Sequence, residues 1–266
     1  MFGIIGCGNM GSAILEGILG KGLYTKDDII VSNVDDDLLL SLGNKYGVAT
    51  TKDNTEVAEK ADVLLLSLKP NRFDDVIPGI ADLVDDDTLV ISIAAGMTMK
   101  KIIDLFGKAV HLVRTMPNTP ALVGAGATGM CFSDVVTDDE KKKAVEIFES
   151  FGIVSVVSEP MIDTIIGISG SSPAYVFMFI EAMADAAVAD GMTRADAYRM
   201  AAQSVMGSAK MVLETGRHPG ELKDMVCSPA GTTIEAVRVL EEKNFRSAVI
   251  EGQMACVKKA REMAGK

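Results

Sequence analysis

The opening stretch of the chain, FGIIGCGNMGSA, constrains its fold more than any other segment. A short apolar run, residues 2–5, precedes three glycines spaced as G-x-G-x-x-G, and a helical pattern begins at Ser12. Strand, glycine turn and helix in this order are typical of dinucleotide-binding α/β domains. Gly6 would allow the tight turn, Gly8 the approach of a pyrophosphate, and Gly11 close packing of helix on strand. The helix N-terminus would face the phosphates. The alternative is a glycine-rich turn without a ligand.

Apolar segments alternate with helical patterns as far as residue 158. Strands are predicted at residues 2–5, 29–33, 61–68, 88–93, 109–114, 124–132 and 153–157. Continuous apolar runs such as ADVLLLSL are typical of parallel strands that are buried on both faces. The alternation predicts a doubly wound sheet with ligands at the carboxyl ends of its strands. Beyond Ser158, long helices rich in Ala and Met follow. We therefore predict an α/β protein with a Rossmann-type dinucleotide-binding domain over residues 1–158 and an all-α domain over residues 159–266.

Composition excludes several classes of partner. The net charge of −11 argues against nucleic acid or an anionic membrane. Four separated cysteines without a C-x-x-C pair give no support for a zinc or redox motif, and we predict no metal site. The acidic runs at residues 35–37 and 85–87 lack ligand-like spacing and are interpreted as solvated loops or helix starts. No uninterrupted apolar run approaches ~20 residues. Because the first strand begins almost at residue 1, we expect no signal peptide and a cytoplasmic protein.

The end of the second strand bears on the choice of cofactor. A carboxylate at this position would accept a hydrogen bond from the adenosine 2′-hydroxyl and would repel a 2′-phosphate. Ser32 and Asn33 are neutral instead, and Asp35 comes only later. This favours NADP, although no arginine lies nearby in the sequence.

The segment SPAGTTIEA, residues 228–236, is the best candidate for binding a second reactant. Ser228 and Pro229 resemble an N-cap and first-turn pair, and the residues up to Thr233 would present free N–H groups at a helix start. Such a site favours a carboxylate. The alternative is an ordinary helix cap without a ligand. The strongly apolar helical half further predicts a buried contact with a partner subunit.

The inventory of acid–base groups is small. His111 lies within a strand pattern and is interpreted as structural, whereas His218 lies in a loop where it could contact a ligand. No Ser/His/Asp spacing appears. A hydride transfer fits this inventory, because the cofactor carries the difficult step and the protein orients the reactants.

Together with the glycine loop, the motifs SLKP, AAG, MPNTP, GSSPAY and HPGELKDMVCSPAGTTIEAVRVLE resemble those of the pyrroline-5-carboxylate reductase family. The resemblance covers the whole chain. It implies an enzyme that reduces 1-pyrroline-5-carboxylate to L-proline, the last step of proline biosynthesis, with NADPH or alternatively NADH. It also implies a homodimer formed through the helical domain, often assembled into a decamer. Ser172 and Ala230 stand where many members of the family have glycine, which puts the local loop geometry in question.

The resemblance assigns roles to individual residues. Thr233 is the catalytic candidate, with its hydroxyl near the ring nitrogen of the substrate. Substrate binding falls on Ser228, Gly231, Thr232 and Thr233. Cofactor binding falls on Gly6, Cys7, Gly8, Asn9, Met10, Gly11, Ser32, Asn33, Asn54, Ser67, Leu68, Lys69, Pro70, Ala94, Ala95, Gly96 and Asn118.

Two other functions are compatible with a Rossmann half followed by helices. One is a hydroxyacid or ketopantoate-type dehydrogenase, which would use a helical lysine such as Lys210. The other is a module that senses NADP without turnover.

Overall fold

The computed structural model describes residues 1–264 and groups them into two compact units. The first unit comprises Met1–Ser171 together with the chain from Cys256, and the second comprises Ser172–Ala255. Residues 159–171 belong by contacts to the first unit because the helix that begins at Glu159 packs on the sheet. The domain boundary after residue 158 therefore stays a prediction about where the helical domain begins.

The first unit is built on one eight-stranded sheet. Its strands are β1 (Phe2–Ile5), β2 (Ile29–Ser32), β3 (Ala49–Thr51), β4 (Val63–Leu66), β5 (Leu89–Ser92), β6 (His111–Met116), β7 (Gly126–Phe132) and β8 (Gly152–Val156). The strand order is β3-β2-β1-β4-β5-β6-β7-β8. All neighbours pair in parallel except β6 and β7, which are antiparallel. The predicted doubly wound sheet is confirmed, and β3 is a strand that the sequence patterns missed.

Helices cover both faces of this sheet. They are α1 (Asn9–Gly20), α2 (Asp36–Tyr46), α3 (Asn54–Lys60), α4 (Phe73–Ile80), α5 (Met99–Phe106), α6 (Asp138–Glu149) and α7 (Glu159–Ile165). Every residue of β1, β2, β4 and β5 is buried, as expected of central parallel strands. Ile4 and Ile5 illustrate the two layers: Ile4 packs into the cluster with α1 and α6, and Ile5 into the cluster with α3, α4 and α5.

Local signals in the sequence define several of these helices. Asp35 caps α2 by accepting a hydrogen bond from the amide of Leu38 at 3.1 Å, so the first acidic run is indeed a helix start. Gly47 ends the same helix with φ of 71°, a left-handed conformation that favours glycine. A π-helical turn, Ile166–Gly170, follows α7.

The second unit is entirely helical. It contains α8 (Ser172–Ala189), α9 (Arg194–Thr215), α10 (Pro219–Val226) and α11 (Thr232–Glu242), followed by α12 (Phe245–Met263), whose last part belongs to the first unit. The predicted Thr193 cap of α9 is confirmed, because its side chain accepts a hydrogen bond from the amide of Asp196. By length and composition alone, the helical residues Glu159–Ala189 could cross a membrane, although the sequence patterns indicated no such segment.

Candidate active site

The glycine loop occupies the carboxyl end of β1, where its three glycines meet different surroundings. Gly6 has φ of 77°, and a Cβ there would lie 2.8 Å from the Ser67 carbonyl oxygen. A Cβ on Gly11 would lie 2.9 Å from the Ser67 hydroxyl oxygen. A Cβ on Gly8 would meet no atom within 4 Å. Gly6 and Gly11 are thus required for the turn and for packing, while Gly8 leaves open space for a ligand.

The helix that follows this loop can receive a phosphate. Gly8 is the N-cap of α1, and no side chain caps the helix. The amide N–H groups of its first turn therefore remain for an anion, at the positive end of the helix dipole. Asn9 is exposed beside this opening, whereas Met10 is half-buried against the core. The residues present fit a dinucleotide pyrophosphate.

Cys7 lies inside the loop but faces the protein. Its side chain is fully buried, and its sulfur lies 3.7 Å from the Ser12 hydroxyl oxygen. Burial raises the pKa of the Cys7 thiol to about 11 despite this contact, which lowers it. The group is therefore a protonated packing residue at neutral pH rather than a nucleophile.

The end of β2 carries a polar rim formed by Ser32, Asn33 and Asn54. The buried Ser32 hydroxyl donates to the Asn54 amide oxygen at 2.7 Å, which connects the end of β2 to the start of α3. The Asn33 side-chain oxygen accepts from the amide of Asp35 at 3.1 Å. The structure thus brings together three of the predicted cofactor-binding residues, Ser32, Asn33 and Asn54.

The loops after β4 and β5 extend this edge of the sheet. Leu68 packs on the core, while Lys69 and Pro70 are exposed at the start of a 3-10 turn. Ala94 is buried, and Gly96 has φ of 77° with open space at its Cβ position. A cavity of about 290 Å³ lies beside this loop. Its lining residues, all in the first unit, are Ala95, Gly96, Ile166, Ser171, Cys256, Lys259, Ala260 and Met263.

Asn118 has both ends of its amide engaged by the protein. Its nitrogen donates to the Ser169 carbonyl oxygen at 3.0 Å, and its oxygen accepts from the amide of Ala127 at 2.8 Å. The side chain is nearly buried. These bonds connect the MPNTP loop to β7 and the π-helical turn, so Asn118 positions the loop. A direct contact with cofactor stays a prediction.

A buried charge network, which the sequence patterns did not indicate, supports the loop after β5. The Arg114 guanidinium on β6 is 1% exposed and donates to the Glu159 carboxylate at 2.8 Å. The same carboxylate accepts from the amide of Met99, in the first turn of α5, at 2.6 Å. Asp163 lies 4.0 Å from the guanidinium. Glu159, on α7, therefore connects β6 to the start of α5, the helix that follows the loop after β5.

In the second unit, the segment around Ser228 differs from the predicted helix start. The helix α11 begins at Thr232, and Ser228 to Gly231 form a turn in which the Gly231 amide donates to the Ser228 carbonyl oxygen at 3.0 Å. The Gly231 N–H is thus already engaged, and the free N–H groups belong to the first turn of α11, at Thr232, Thr233 and Ile234. No side chain caps this helix.

The turn itself is constrained. Ala230 has φ of 56°, an unfavourable conformation for a residue with a Cβ. A Cβ on Gly231 would lie 2.3 Å from the Ser228 hydroxyl oxygen and 3.1 Å from the Ser228 carbonyl oxygen, so a larger residue there would displace the Ser228 side chain. Thr232 is exposed and Thr233 is half-buried.

The two histidines have structural partners. The Nδ1 atom of His111 lies 2.6 Å from a Glu140 carboxylate oxygen, which agrees with the predicted structural role. His218 is the N-cap of α10, and its Nδ1 atom accepts from the amide of Gly220 at 3.0 Å. Among residues 1–264, no group of three or more His, Cys, Asp or Glu side chains could hold a metal ion.

Comparisons with known proteins agree with these features. A family model for pyrroline-5-carboxylate reductase dimerisation matches residues 159–263. A second model, described as NADP oxidoreductase, coenzyme F420-dependent, matches residues 1–96. The pyrroline-5-carboxylate reductase of Escherichia coli is 51% identical over 98% of this chain and 97% of its own length.

Two solved structures are also similar to this chain over nearly its full length. A pyrroline-5-carboxylate reductase from Coxiella burnetii is 40% identical and covers 98% of this chain and 97% of its own, with a TM-score of 0.93. The Plasmodium falciparum pyrroline carboxylate reductase with NADP bound is 30% identical, with a TM-score of 0.89 over 99% of this chain and 97% of its own.

The fold and its sites define an NAD(P)H-dependent oxidoreductase, a homo-oligomer whose helical half is a dimerisation domain. At this similarity over nearly the full length, the chain belongs to the pyrroline-5-carboxylate reductase family.

Proposed function

We propose that this chain reduces 1-pyrroline-5-carboxylate to L-proline in proline biosynthesis, with NADPH as cofactor and NADH as an alternative. The observation that carries the proposal is the uncapped helix start at Thr232, in a chain that shares its full length with the family. The substrate has one carboxylate to anchor and one ring C=N bond to reduce. The N–H groups of Thr232 and Thr233 suit the carboxylate, because they lie at the positive end of the α11 dipole.

The chain's own residues position the reactants. The uncapped first turn of α1 would hold the pyrophosphate, and the rim of Ser32, Asn33 and Asn54 would hold the adenosine ribose. Ser67 to Pro70 and Ala94 to Gly96 line the remainder of the cofactor path. When bound, NADPH would supply the hydride that reduces the ring carbon of the C=N bond. The substrate reacts as its protonated iminium, so its ring nitrogen already carries the proton that the product amine keeps. The Thr233 hydroxyl forms a hydrogen bond with this nitrogen. Positioning supplies most of the rate acceleration.

The test of Thr233 separates its hydroxyl from its bulk. Thr233→Ala should lower kcat/KM by about 10- to 100-fold, which corresponds to the loss of one hydrogen bond to a polar partner. Thr233→Ser should retain most of the activity, and Thr232→Ala should affect it less if Thr232 contributes mainly its backbone. Wild-type kinetics for Thr233→Ala would remove Thr233 from the mechanism. A comparison of kcat/KM for NADPH and NADH on the wild-type enzyme establishes the preferred cofactor.

The alternative dehydrogenase receives no support from Lys210. Its ammonium is exposed and lies 3.5 Å from Glu214 on the same helix. NADPH absorbance followed with pyrroline carboxylate, and separately with 2-oxo acids, distinguishes the candidates. Oxidation with 2-oxo acids alone would favour a dehydrogenase, and no oxidation with either would favour a nucleotide-sensing module.

We place the enzyme in the cytoplasm, with no nucleic acid or membrane as partner, consistent with its net charge of −11. We further propose that its dimers assemble into a higher oligomer such as a decamer. Light scattering on the purified enzyme tests this assembly, and a mass of two chains at working concentration would contradict it.

A further inference from the structure

The carboxyl end of β2 is surrounded by acidic side chains. Asp35 caps α2, Asp36 and Asp37 form its first turn, and Asp53 caps α3. Between Asp27 and Lys60 the sequence contains only two basic residues, Lys45 and Lys52. Lys45 lies in the last turn of α2, where it pairs with Glu16. Within residues 27–60, Lys52 is therefore the one basic residue whose side chain is placed at this end of the β2–α2 connection, where it pairs with Asp36.

The pairing of β2 with β3 fixes the location of Lys52. Ser32 is the register partner of Thr51, and the amide of Asn33 donates to the Thr51 carbonyl oxygen at 3.4 Å. Lys52 is the next residue, and Asn54, which accepts the Ser32 hydrogen bond, comes two residues later. The exposed Lys52 thus lies directly beside the residues that form the proposed ribose rim.

The Lys52 ammonium has a weakly bound partner. It donates to the Asp36 carboxylate at 2.7 Å, and the two side chains are 59% and 74% exposed. An exposed ion pair of this kind contributes little free energy, so the ammonium can exchange this carboxylate for another anion at small cost. A phosphate dianion carries more charge and more acceptor atoms than a carboxylate.

The N-terminus of α2 cannot bind a phosphate by itself. Asp35 already engages the amide of Leu38, and three successive aspartates give the first turn a negative charge. Without Lys52, this rim would repel a 2′-phosphate and accept only a ribose hydroxyl.

We propose that Lys52 determines the preference for NADPH over NADH by binding the adenosine 2′-phosphate, and that Asp36 competes for its ammonium. The proposal rests on the cofactor site described under the proposed function. It assigns the discrimination between NADPH and NADH to the turn between β3 and α3, because no arginine follows β2 in this chain.

The experiment measures binding rather than turnover, so failure of the proposed reaction would not affect it. Dissociation constants of NADP⁺ and NAD⁺ are determined by calorimetry on the full-length wild-type protein and on Lys52→Gln. Removal of the charge should weaken NADP⁺ binding about tenfold and leave NAD⁺ binding within about twofold. Lys52→Arg should restore most of the NADP⁺ affinity.

A matched control is Lys60→Gln. Lys60 pairs with Glu56 at 2.8 Å on α3, with comparable exposure, and its loss should change neither constant. The preference of wild type for NADP⁺ should also fall with added salt, because the contact is exposed. An unchanged ratio of the two constants in Lys52→Gln would overturn the proposal.

The role of Asp36 is tested by a double-mutant cycle. Asp36→Asn should strengthen NADP⁺ binding several-fold when Lys52 is present and clearly less in the Lys52→Gln background. Equal gains in both backgrounds would mean that Asp36 repels the phosphate directly, and the competition for Lys52 would then be wrong.

Discussion

The two units of this chain bury their apolar residues to very different degrees. In the first unit, four central strands are buried along their whole length, with two core clusters on opposite faces of the sheet. In the second unit, Ser172–Ala255, the only buried apolar residues are three alanines, Ala184, Ala197 and Ala201. Two large side chains of α8, Phe177 and Met178, are more than 60% exposed in the single chain.

This difference explains the apolar helical segment that could be mistaken for a membrane span. An apolar helix must be covered by other protein or by lipid. Because the matching family model describes this region as a dimerisation domain, a second copy of the chain provides that cover. The first unit thus carries its own core, while the core of the second forms on assembly.

The largest expected effect comes from a charge on the exposed face of α8. Phe177→Glu should prevent assembly and reduce activity by more than about 100-fold, because each dimer loses two buried aromatic side chains and gains two carboxylates to desolvate. Leu40→Glu is the control: Leu40 on α2 is 65% exposed and Phe177 is 63% exposed. Light scattering gives the mass of each variant, and an intact dimer of Phe177→Glu would contradict the comparison.

The buried charge network should give the next largest effect, in the first unit. Glu159→Gln leaves the Arg114 guanidinium buried with a weaker partner and should lower the free energy of unfolding by about 3 kcal/mol. The control Glu56→Gln removes an ion pair of the same length, 2.8 Å, at a solvent-accessible position and should change the free energy of unfolding far less. Urea unfolding of both variants provides the values. Similar losses for the two would show that burial does not distinguish these pairs.

A smaller effect of opposite sign is expected at Ala230. Ala230→Gly removes the steric strain of a left-handed backbone conformation and should therefore stabilise the protein by about 1 kcal/mol. Ala236→Gly, within α11, should destabilise it by a similar amount, because glycine is a poor helix former. Thermal unfolding of the assembled protein measures both. Destabilisation by Ala230→Gly would mean that the turn needs its methyl group.

The smallest expected effect is a difference in the rate at which the cysteine thiols are alkylated in the folded protein. Burial raises the pKa of Cys7 and Cys131 to about 11, so at pH 8 both are protonated as well as inaccessible. Cys227 in the second unit is half-buried in the single chain. An alkylating reagent at pH 8 should therefore label Cys227 before Cys7 or Cys131, as seen by peptide mass spectrometry. All four cysteines should react in denaturant, and early labelling of Cys7 would contradict its burial.

The sequence predicted the features that depend on local spacing. The order of Gly6, Gly8 and Gly11 after a strand predicts a tight turn and close packing, and a Cβ would indeed meet nearby atoms at Gly6 and Gly11 and open space at Gly8. The approach of a pyrophosphate at Gly8 stays a prediction. The strand β3 was missed because Ala49–Thr51 is short, exposed and at the sheet edge, so it carries no apolar pattern.

Features that depend on residues far apart in the chain could not be predicted from the sequence. Arg114 and Glu159 are 45 residues apart, and nothing in either segment indicates the other. The start of α11 was placed too early because the Ser228–Pro229 pair resembles a helix cap. The left-handed conformation of Ala230, which an alanine does not indicate, delays the helix to Thr232.

The antiparallel β7 has a consequence for engineering the enzyme. Because β7 runs against β6, its carboxyl end lies at the edge of the sheet opposite the glycine loop. The turn after it, at Asp134 and Val135, is exposed, while Val136 anchors the chain again in the core. Extra residues between Asp134 and Val135 would thus extend into solvent away from the cofactor edge. This turn is a suitable attachment point for a fluorescent or affinity tag on the native enzyme.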